Sequence, residues 1–177
     1  HFVRRRQRQM CIRDRIAGQQ LVQPNGPSIA VFDIAGFDTH ADQGGDYGEH
    51  AKKLKQFEEI IVTLENELGS AFEDTIIVSL TEFGRTVDQN GGSGTEHGYG
   101  SAILMAGGLL PKSKIIGDWP GLEKKNLFEG RDLDSSIDAR AVYASILARV
   151  LDRDHKEIVK NAFFNANLPD MSQRIFG

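Results

Sequence analysis

Two short apolar segments rich in β-forming residues flank a long helical pattern, and this order constrains the fold of the chain most strongly. The first segment, 28–34, reads Ser-Ile-Ala-Val-Phe-Asp-Ile, and the second, 75–80, reads Thr-Ile-Ile-Val-Ser-Leu. Both are typical of buried strands. Between them, apolar residues recur at spacings of three and four from Ala51 to Leu68, which predicts a helix. Because a strand, a crossover helix and a second strand form a βαβ unit, we expect the two strands to be parallel.

The ends of this central helix are also marked in the sequence. Asp46, followed three residues later by Glu49, has the spacing of a capping box at a helix start. Gly69 follows the last apolar position and is typical of a helix end. The pattern therefore predicts a helix that begins shortly after Asp46 and ends at Gly69.

Further strands and helices are predicted in the second half of the chain. Strands are expected at 101–106 and, more briefly, at 114–117. Two later helices are expected to begin near pairs of capping residues, Ser135 with Asp138 and Asp154 with Glu157. This alternation predicts an α/β fold with a mostly parallel sheet, in a single domain over residues 28–177.

The composition is that of a folded globular protein and excludes several other classes. The chain of 177 residues has 40% hydrophobic and 26% charged residues, which excludes a mainly disordered protein. Cys11 is its only cysteine, which excludes a disulfide scaffold. No run of apolar residues approaches the about 18 that a membrane span requires, so no membrane partner is expected.

Charge is distributed unevenly along the chain. Residues 1–15 carry six arginines and one aspartate, whereas the rest carries 15 basic and 24 acidic side chains. The acidic body argues against a nucleic-acid partner and suits cation binding. One interpretation of the arginine run is a basic binding arm. The alternative, which we prefer because the run resembles translated sequencing-adapter sequence, is that residues 1–20 are a disordered or artefactual arm that packs against nothing.

Polar side chains cluster next to three of the predicted strands. Asp38 and His40 follow the first strand, Glu82 and Arg85 follow the second, and His97 precedes the third. In open α/β sheets, ligands bind beyond the carboxyl ends of the strands, so these side chains are expected to share one crevice. Imidazole and carboxylate ligands suit Zn²⁺, Mn²⁺ or Fe better than Ca²⁺. The alternative is that Asp38 is a turn residue, Glu82 a solvated charge and His97 a loop histidine.

Six short motifs occur in an order that resembles one bacterial protein family. They are Phe-Asp-Thr-His (37–40), Thr-Glu-Phe-Gly-Arg-Thr (81–86), Gly-Thr-Glu-His-Gly (94–98), Gly-Asp-Trp-Pro-Gly-Leu (117–122), Glu-Gly-Arg-Asp-Leu (129–133) and Asp-Ala-Arg-Ala-Val-Tyr-Ala (138–144). Together they resemble the bacterial domain-of-unknown-function family 1501. That family is similar to the alkaline phosphatase and sulfatase superfamily.

This resemblance implies both a fold and a set of metal ligands. The implied fold is the C-terminal half of an alkaline-phosphatase/sulfatase-like α/β/α sandwich with a mostly parallel sheet. Asp38 and His40 match the place where the superfamily has metal ligands after a strand. Glu82 and His97 match two further ligand positions, whereas Phe83 stands where the superfamily has a ligand histidine.

The function implied by the resemblance is a metal-dependent hydrolase that acts on a phosphate or sulfate ester, with Zn²⁺ or Mn²⁺ as cofactor. Arg85 would hold the small anionic substrate through its fixed fork of donors. The superfamily's nucleophile belongs to the N-terminal half, so we expect the catalytic machinery of this chain to be incomplete. Phe83 favours the alternative, a non-catalytic metal- or ligand-binding module of the same fold. The family resemblance also implies a periplasmic or extracytoplasmic location.

Overall fold

The computed structural model describes residues 2–177, with the side chains described from residue 12 onward. The chain divides into two compact units. Unit 1 comprises His1–Ile77 and Asp88–Glu96, and unit 2 comprises Val78–Val87 and His97–Gly177. The sequence predicts a single domain over 28–177, and the boundary between the units falls inside that range.

Unit 1 is built on two long helices, α1 over Phe2–Leu21 and α2 over Glu49–Leu68. The predicted central helix is confirmed by α2, and Gly69 ends it at φ 54°, in the left-handed region that glycine tolerates. The predicted capping box is wrong, because Gly48 is the N-cap and no side chain caps this end of α2. A 3₁₀ helix over Gly69–Asp74 follows.

Helix α1 packs against α2, which differs from the expectation that residues 1–20 pack against nothing. Gly18 approaches α2 so closely that an added Cβ would lie 2.7 Å from the Cβ of Glu67. The Arg15 Nε also lies 2.8 Å from Glu67 Oε1. That expectation is therefore wrong for the described side chains of α1, while the side chains of residues 1–11 lie outside the described part of the chain.

The core of unit 1 lies along one face of α2. Ile60, Leu64 and Leu68 are spaced at four residues and are only 3%, 3% and 6% exposed, as expected for the buried stripe of an amphipathic helix. Partly buried apolar side chains from α1, from the segment before α2 and from the residues after it pack against this stripe: Ala17, Leu21, Phe32, Ile34, Ala71, Phe72 and Ile77.

The predicted mostly parallel sheet of an α/β/α sandwich is wrong. Within residues 2–177 the strands are two residues long and form two-stranded sheets, with β1 beside β4 and β2 beside β3. The strands are β1 over Ile77–Val78, β2 over Gly84–Arg85, β3 over His97–Gly98 and β4 over Met105–Ala106. Strands β2 and β3 are antiparallel, with Gly84 opposite Gly98 and Arg85 opposite His97.

The physical reason is that an apolar run becomes a strand only where a neighbouring backbone accepts and donates its hydrogen bonds. The first predicted strand, 28–34, contains no strand residue, and neither does 114–117. Residues 28–34 instead contribute Phe32 and Ile34 to the core against α2. Their apolar pattern therefore reflects side-chain packing on a helix rather than pairing in a sheet.

Unit 2 has three α-helices in its C-terminal part, and they support its core. The helices are α3 over Ala139–Val150, α4 over His155–Ala162 and α5 over Ser172–Phe176. The predicted start at Asp154 is confirmed, because its side chain accepts from Lys156 N and Glu157 N. At α3 the N-cap is Asp138 rather than Ser135, and the Asp138 side chain accepts from Arg140 N. The side-chain hydrogen bond from Arg140 holds the pKa of the Asp138 carboxyl below its usual value.

A buried serine on α3 contacts the residue that precedes α5. Ser145 is 0% exposed, and its Oγ donates to Ala141 O and accepts from Met171 N, both at 2.8 Å. Its hydroxyl is thus paired at both the donor and the acceptor side, as a buried polar group requires.

None of the helices in the described residues combines the length and the apolar character needed to cross a bilayer.

The packing of α2 gives a direct test of this fold. We expect Leu64→Ala to lower the free energy of unfolding by about 2–5 kcal/mol, because it removes a fully buried side chain and leaves a cavity. Urea denaturation followed by circular dichroism measures the change. Leu54→Ala is the matched control, since Leu54 lies on the same helix and is 46% exposed. Equal losses in the two variants would contradict the described orientation of α2.

Candidate metal centre

Asp38 and His40 lie together in the segment of unit 1 that precedes α2. The Nε2 atom of His40 is 3.0 Å from Oδ1 of Asp38, and the two side chains are 45% and 48% exposed. These atoms are an imidazole nitrogen and a carboxylate oxygen of the kind that can hold a metal ion. The structure thus brings together the two residues that the sequence places after its first predicted strand.

A second carboxylate contacts the other nitrogen of the same ring. The Nδ1 atom of His40 lies 2.9 Å from Oε2 of Glu96. A neutral imidazole carries one N–H and can donate to only one of two carboxylates. The arrangement is therefore satisfied when a positive charge is present, either as a second proton on the ring or as a metal ion at one of its nitrogens.

The backbone around His40 is held by the glycine-rich segment Asp88–Glu96, which we call the clasp. Ala41 and Ser93 form an isolated antiparallel bridge. Asp42 N donates to Gly92 O at 2.9 Å, and Thr95 N donates to Thr39 O at 3.1 Å. Main-chain hydrogen bonds thus fix the clasp on both sides of His40.

Two threonines converge on one glutamine beside the same segment. The hydroxyls of Thr39 and Thr95 each donate to Gln43 Oε1 at 2.9 Å. One of these threonines lies between Asp38 and His40, and the other precedes Glu96. The shared acceptor therefore ties the two pieces of chain that carry the carboxylates around His40.

Gly94 permits the close approach of the clasp to His40. A Cβ at this position would lie 2.3 Å from the His40 carbonyl carbon and 2.6 Å from Ala41 N. Both atoms are backbone and cannot move aside without displacing His40. Gly94 is therefore required by space here, which the sequence pattern alone does not reveal.

The remaining predicted site residues belong to unit 2. Arg85 on β2 stands opposite His97 on β3, and the ring of Phe83 stacks on that of His97 at 3.7 Å with an interplanar angle of 16°. The Arg85 guanidinium carbon lies 6.0 Å from the centroid of the Phe83 ring. Glu82 is exposed in the segment between β1 and β2. Convergence of all four predicted ligands stays a prediction.

Two residues of unit 1 contact the His40 segment directly although the sequence pattern does not mark them for this role. Glu96 is adjacent to His97 in the motif, yet it is Glu96 that contacts the His40 ring. Asn90 contacts both the His40 backbone and the Glu96 carboxylate. The signal for Asn90 in the sequence is only Asn-Gly-Gly, which is typical of a turn.

A comparison with protein families agrees with the motif order. The model of a family described as "Protein of unknown function (DUF1501)" matches residues 4–163. The chain belongs to this family. The match includes nearly all of α1 and both pieces of chain around His40, so the family resemblance drawn from the motifs is confirmed. No curated protein and no solved structure matches the chain.

Gly94 can be tested without knowing the ligand. We expect Gly94→Ala to lower the free energy of unfolding by about 1–3 kcal/mol, because the new methyl group overlaps the His40 backbone. Urea denaturation in the presence of chelator provides the measurement. Gly91→Ala in the same clasp is the control, since a Cβ there meets nothing within 4 Å. A Gly94 variant as stable as the Gly91 variant would contradict the described fit of the clasp.

Proposed function

We propose that this protein binds a divalent metal ion, Zn²⁺ or Mn²⁺, at Asp38 and His40, and that the metal serves hydrolysis of a phosphate or sulfate ester. The observation that carries the proposal is the pairing at His40. One ring nitrogen lies 3.0 Å from an Asp38 oxygen, while the other lies 2.9 Å from a Glu96 oxygen. Metal-binding histidines commonly donate their second ring N–H to a carboxylate in this way.

The donor set fits such an ion in type and in spacing. Two ligands at about 2.0–2.2 Å from a tetrahedral Zn²⁺ stand roughly 3.4 Å apart. The Asp38 oxygen and the His40 nitrogen are 3.0 Å apart, so the two side chains need to move only slightly away from each other to reach that spacing. Glu96 would then fix the ring orientation and leave the lone pair of Nε2 directed toward the metal.

Two protein ligands are fewer than the three or four that a zinc site in a protein ordinarily uses. We propose His97 and Glu82 as the further ligands, on the strength of the family motifs in which they stand.

The chemistry supplied by a bound metal is polarisation of an ester oxygen and activation of a bound water. Arg85 would bind the anionic group of the substrate, because its guanidinium donates paired hydrogen bonds to phosphate or sulfate oxygens. His40 and Asp38 would hold the ion, and Glu96 would keep the imidazole in one tautomer.

The second candidate function is a metal- or ligand-binding module without catalysis. It is favoured by Phe83, which stands where the alkaline phosphatase and sulfatase superfamily that the motifs resemble has a ligand histidine, and which stacks on the ring of His97. An aromatic ring supplies no metal ligand, so a site built on this pattern has fewer donors than a two-metal hydrolase.

Metal binding is tested by titrating the chain with ZnCl₂ or MnCl₂ in a calorimeter. We expect the wild type to bind, and we expect Asp38→Asn and His40→Ala to weaken binding at least tenfold, because each removes a ligand. Asp33→Asn is the matched control, since Asp33 is an exposed carboxylate in the same segment. Equal affinities in Asp38→Asn and Asp33→Asn would contradict the proposed centre.

Catalysis is tested separately with chromogenic phosphate and sulfate esters in the presence of the bound metal. For a hydrolase we expect turnover that chelator and Asp38→Asn both abolish, and that Arg85→Ala reduces through a higher KM. Arg149→Ala, which changes an arginine on α3, serves as the control. Turnover that persists in chelator or in Asp38→Asn would contradict the proposed role of the metal.

A further inference from the structure

We infer that Asn90 is a positioning residue of the metal centre, which holds Glu96 and the His40 backbone in register with each other. Its Nδ2 donates to His40 O at 2.9 Å and also to Glu96 Oε1. Its Oδ1 accepts from Gly92 N at 2.9 Å and from Gly94 N at 3.0 Å. This inference rests on the proposed function for its metal readout, and it adds a residue that no motif assigns to the site.

The side-chain amide of Asn90 is fully used by these four contacts. A carboxamide offers two N–H donors and two acceptor lone pairs. Both donors meet acceptors, and the oxygen meets two backbone N–H groups. A rotated amide would set its NH₂ group against the backbone N–H groups of the clasp, so the hydrogen-bond network defines one orientation of Asn90.

The contacts of Asn90 join the two sides of the His40 ring system. One donor fixes the main chain that carries the ring, and the other fixes the carboxylate that approaches Nδ1. With Oε1 of Glu96 held by Asn90, Oε2 of the same carboxylate is presented to His40 Nδ1 at 2.9 Å. Glu96 thereby supports a proton on Nδ1, in competition with Asp38, whose oxygen lies 3.0 Å from Nε2 when no metal is bound.

The substitution Asn90→Asp tests the contacts to His40 and Glu96 separately from the contacts that shape the turn at Gly92 and Gly94. It keeps an oxygen that accepts from Gly92 N and Gly94 N, but it removes both donors. The carboxylate that it introduces also repels Glu96 when ionised, because like charges in contact are unfavourable. Added negative charge by itself would strengthen cation binding, so weaker metal binding in this variant reports displacement of Glu96 or of the His40 backbone.

The metal experiment compares ZnCl₂ titrations of the wild type and Asn90→Asp. We expect about tenfold to 100-fold weaker binding, the range found when partners of metal ligands are changed. Asn66→Asp is the matched control, because Asn66 lies on α2 and its Nδ2 donates only to Val62 O, at 2.8 Å. Zinc affinity in Asn90→Asp that equals or exceeds that of the wild type overturns the inference.

A second measurement does not depend on metal. The ¹⁵N chemical shifts of the His40 ring, recorded in chelator at alkaline pH where imidazole is neutral, report which nitrogen carries the proton. We expect the share of the Nδ1–H form to be lower in Asn90→Asp than in the wild type, because Glu96 is no longer held at Nδ1, with Asn66→Asp unchanged. Identical His40 spectra in the wild type and Asn90→Asp overturn the inference, even where zinc affinity falls.

The two measurements also separate failure of this inference from failure of the proposed function. A wild type that binds neither Zn²⁺ nor Mn²⁺ refutes the metal centre, and the His40 spectra then decide the role of Asn90 alone. A wild type that binds metal while Asn90→Asp leaves both affinity and spectra unchanged refutes only the role of Asn90.

Discussion

The imidazole of His40, held between the carboxylates of Asp38 and Glu96, is the interaction on which the candidate centre depends. Two carboxylates on one neutral ring are a mismatch of donors and acceptors, and a proton or a metal ion corrects it. The side chains are about half exposed, so solvent screens their charges. The electrostatic attraction between them therefore contributes little to stability. The affinity of such a site for a cation therefore depends on how firmly its ligands are held before the cation binds.

The clasp holds the ligands in place through hydrogen bonds and close backbone contacts rather than through a hydrophobic core. Gly94 lets the clasp approach the main chain of His40, and Asn90 binds both that main chain and Glu96. The network consists of polar groups that join the clasp to the short segment around His40. A single missing donor in it is expected to disturb several contacts at once, which is the property that the Asn90 and Gly94 variants probe.

Helices were predictable from the sequence far better than strands. The pattern from Ala51 to Leu68 and the caps at Asp138 and Asp154 are local, and α2, α3 and α4 follow from them. The sheet was not predictable, because apolar runs such as 28–34 carry no information about which backbone lies beside them. In the site, Asp38 with His40 was predicted, whereas the partnership of His40 with Glu96 was not.

The sequence by itself determined the positions of three helices, the membership of the family and the residue types available for metal binding. Only the tertiary structure decided that α1 packs on α2 and that Glu96 and Asn90 enclose His40. The physical reason is separation along the chain. Helix periodicity and caps act over a few residues, but Glu96 and His40 are 56 positions apart, and their contact exists only because the backbone hydrogen bonds of the clasp bring them together.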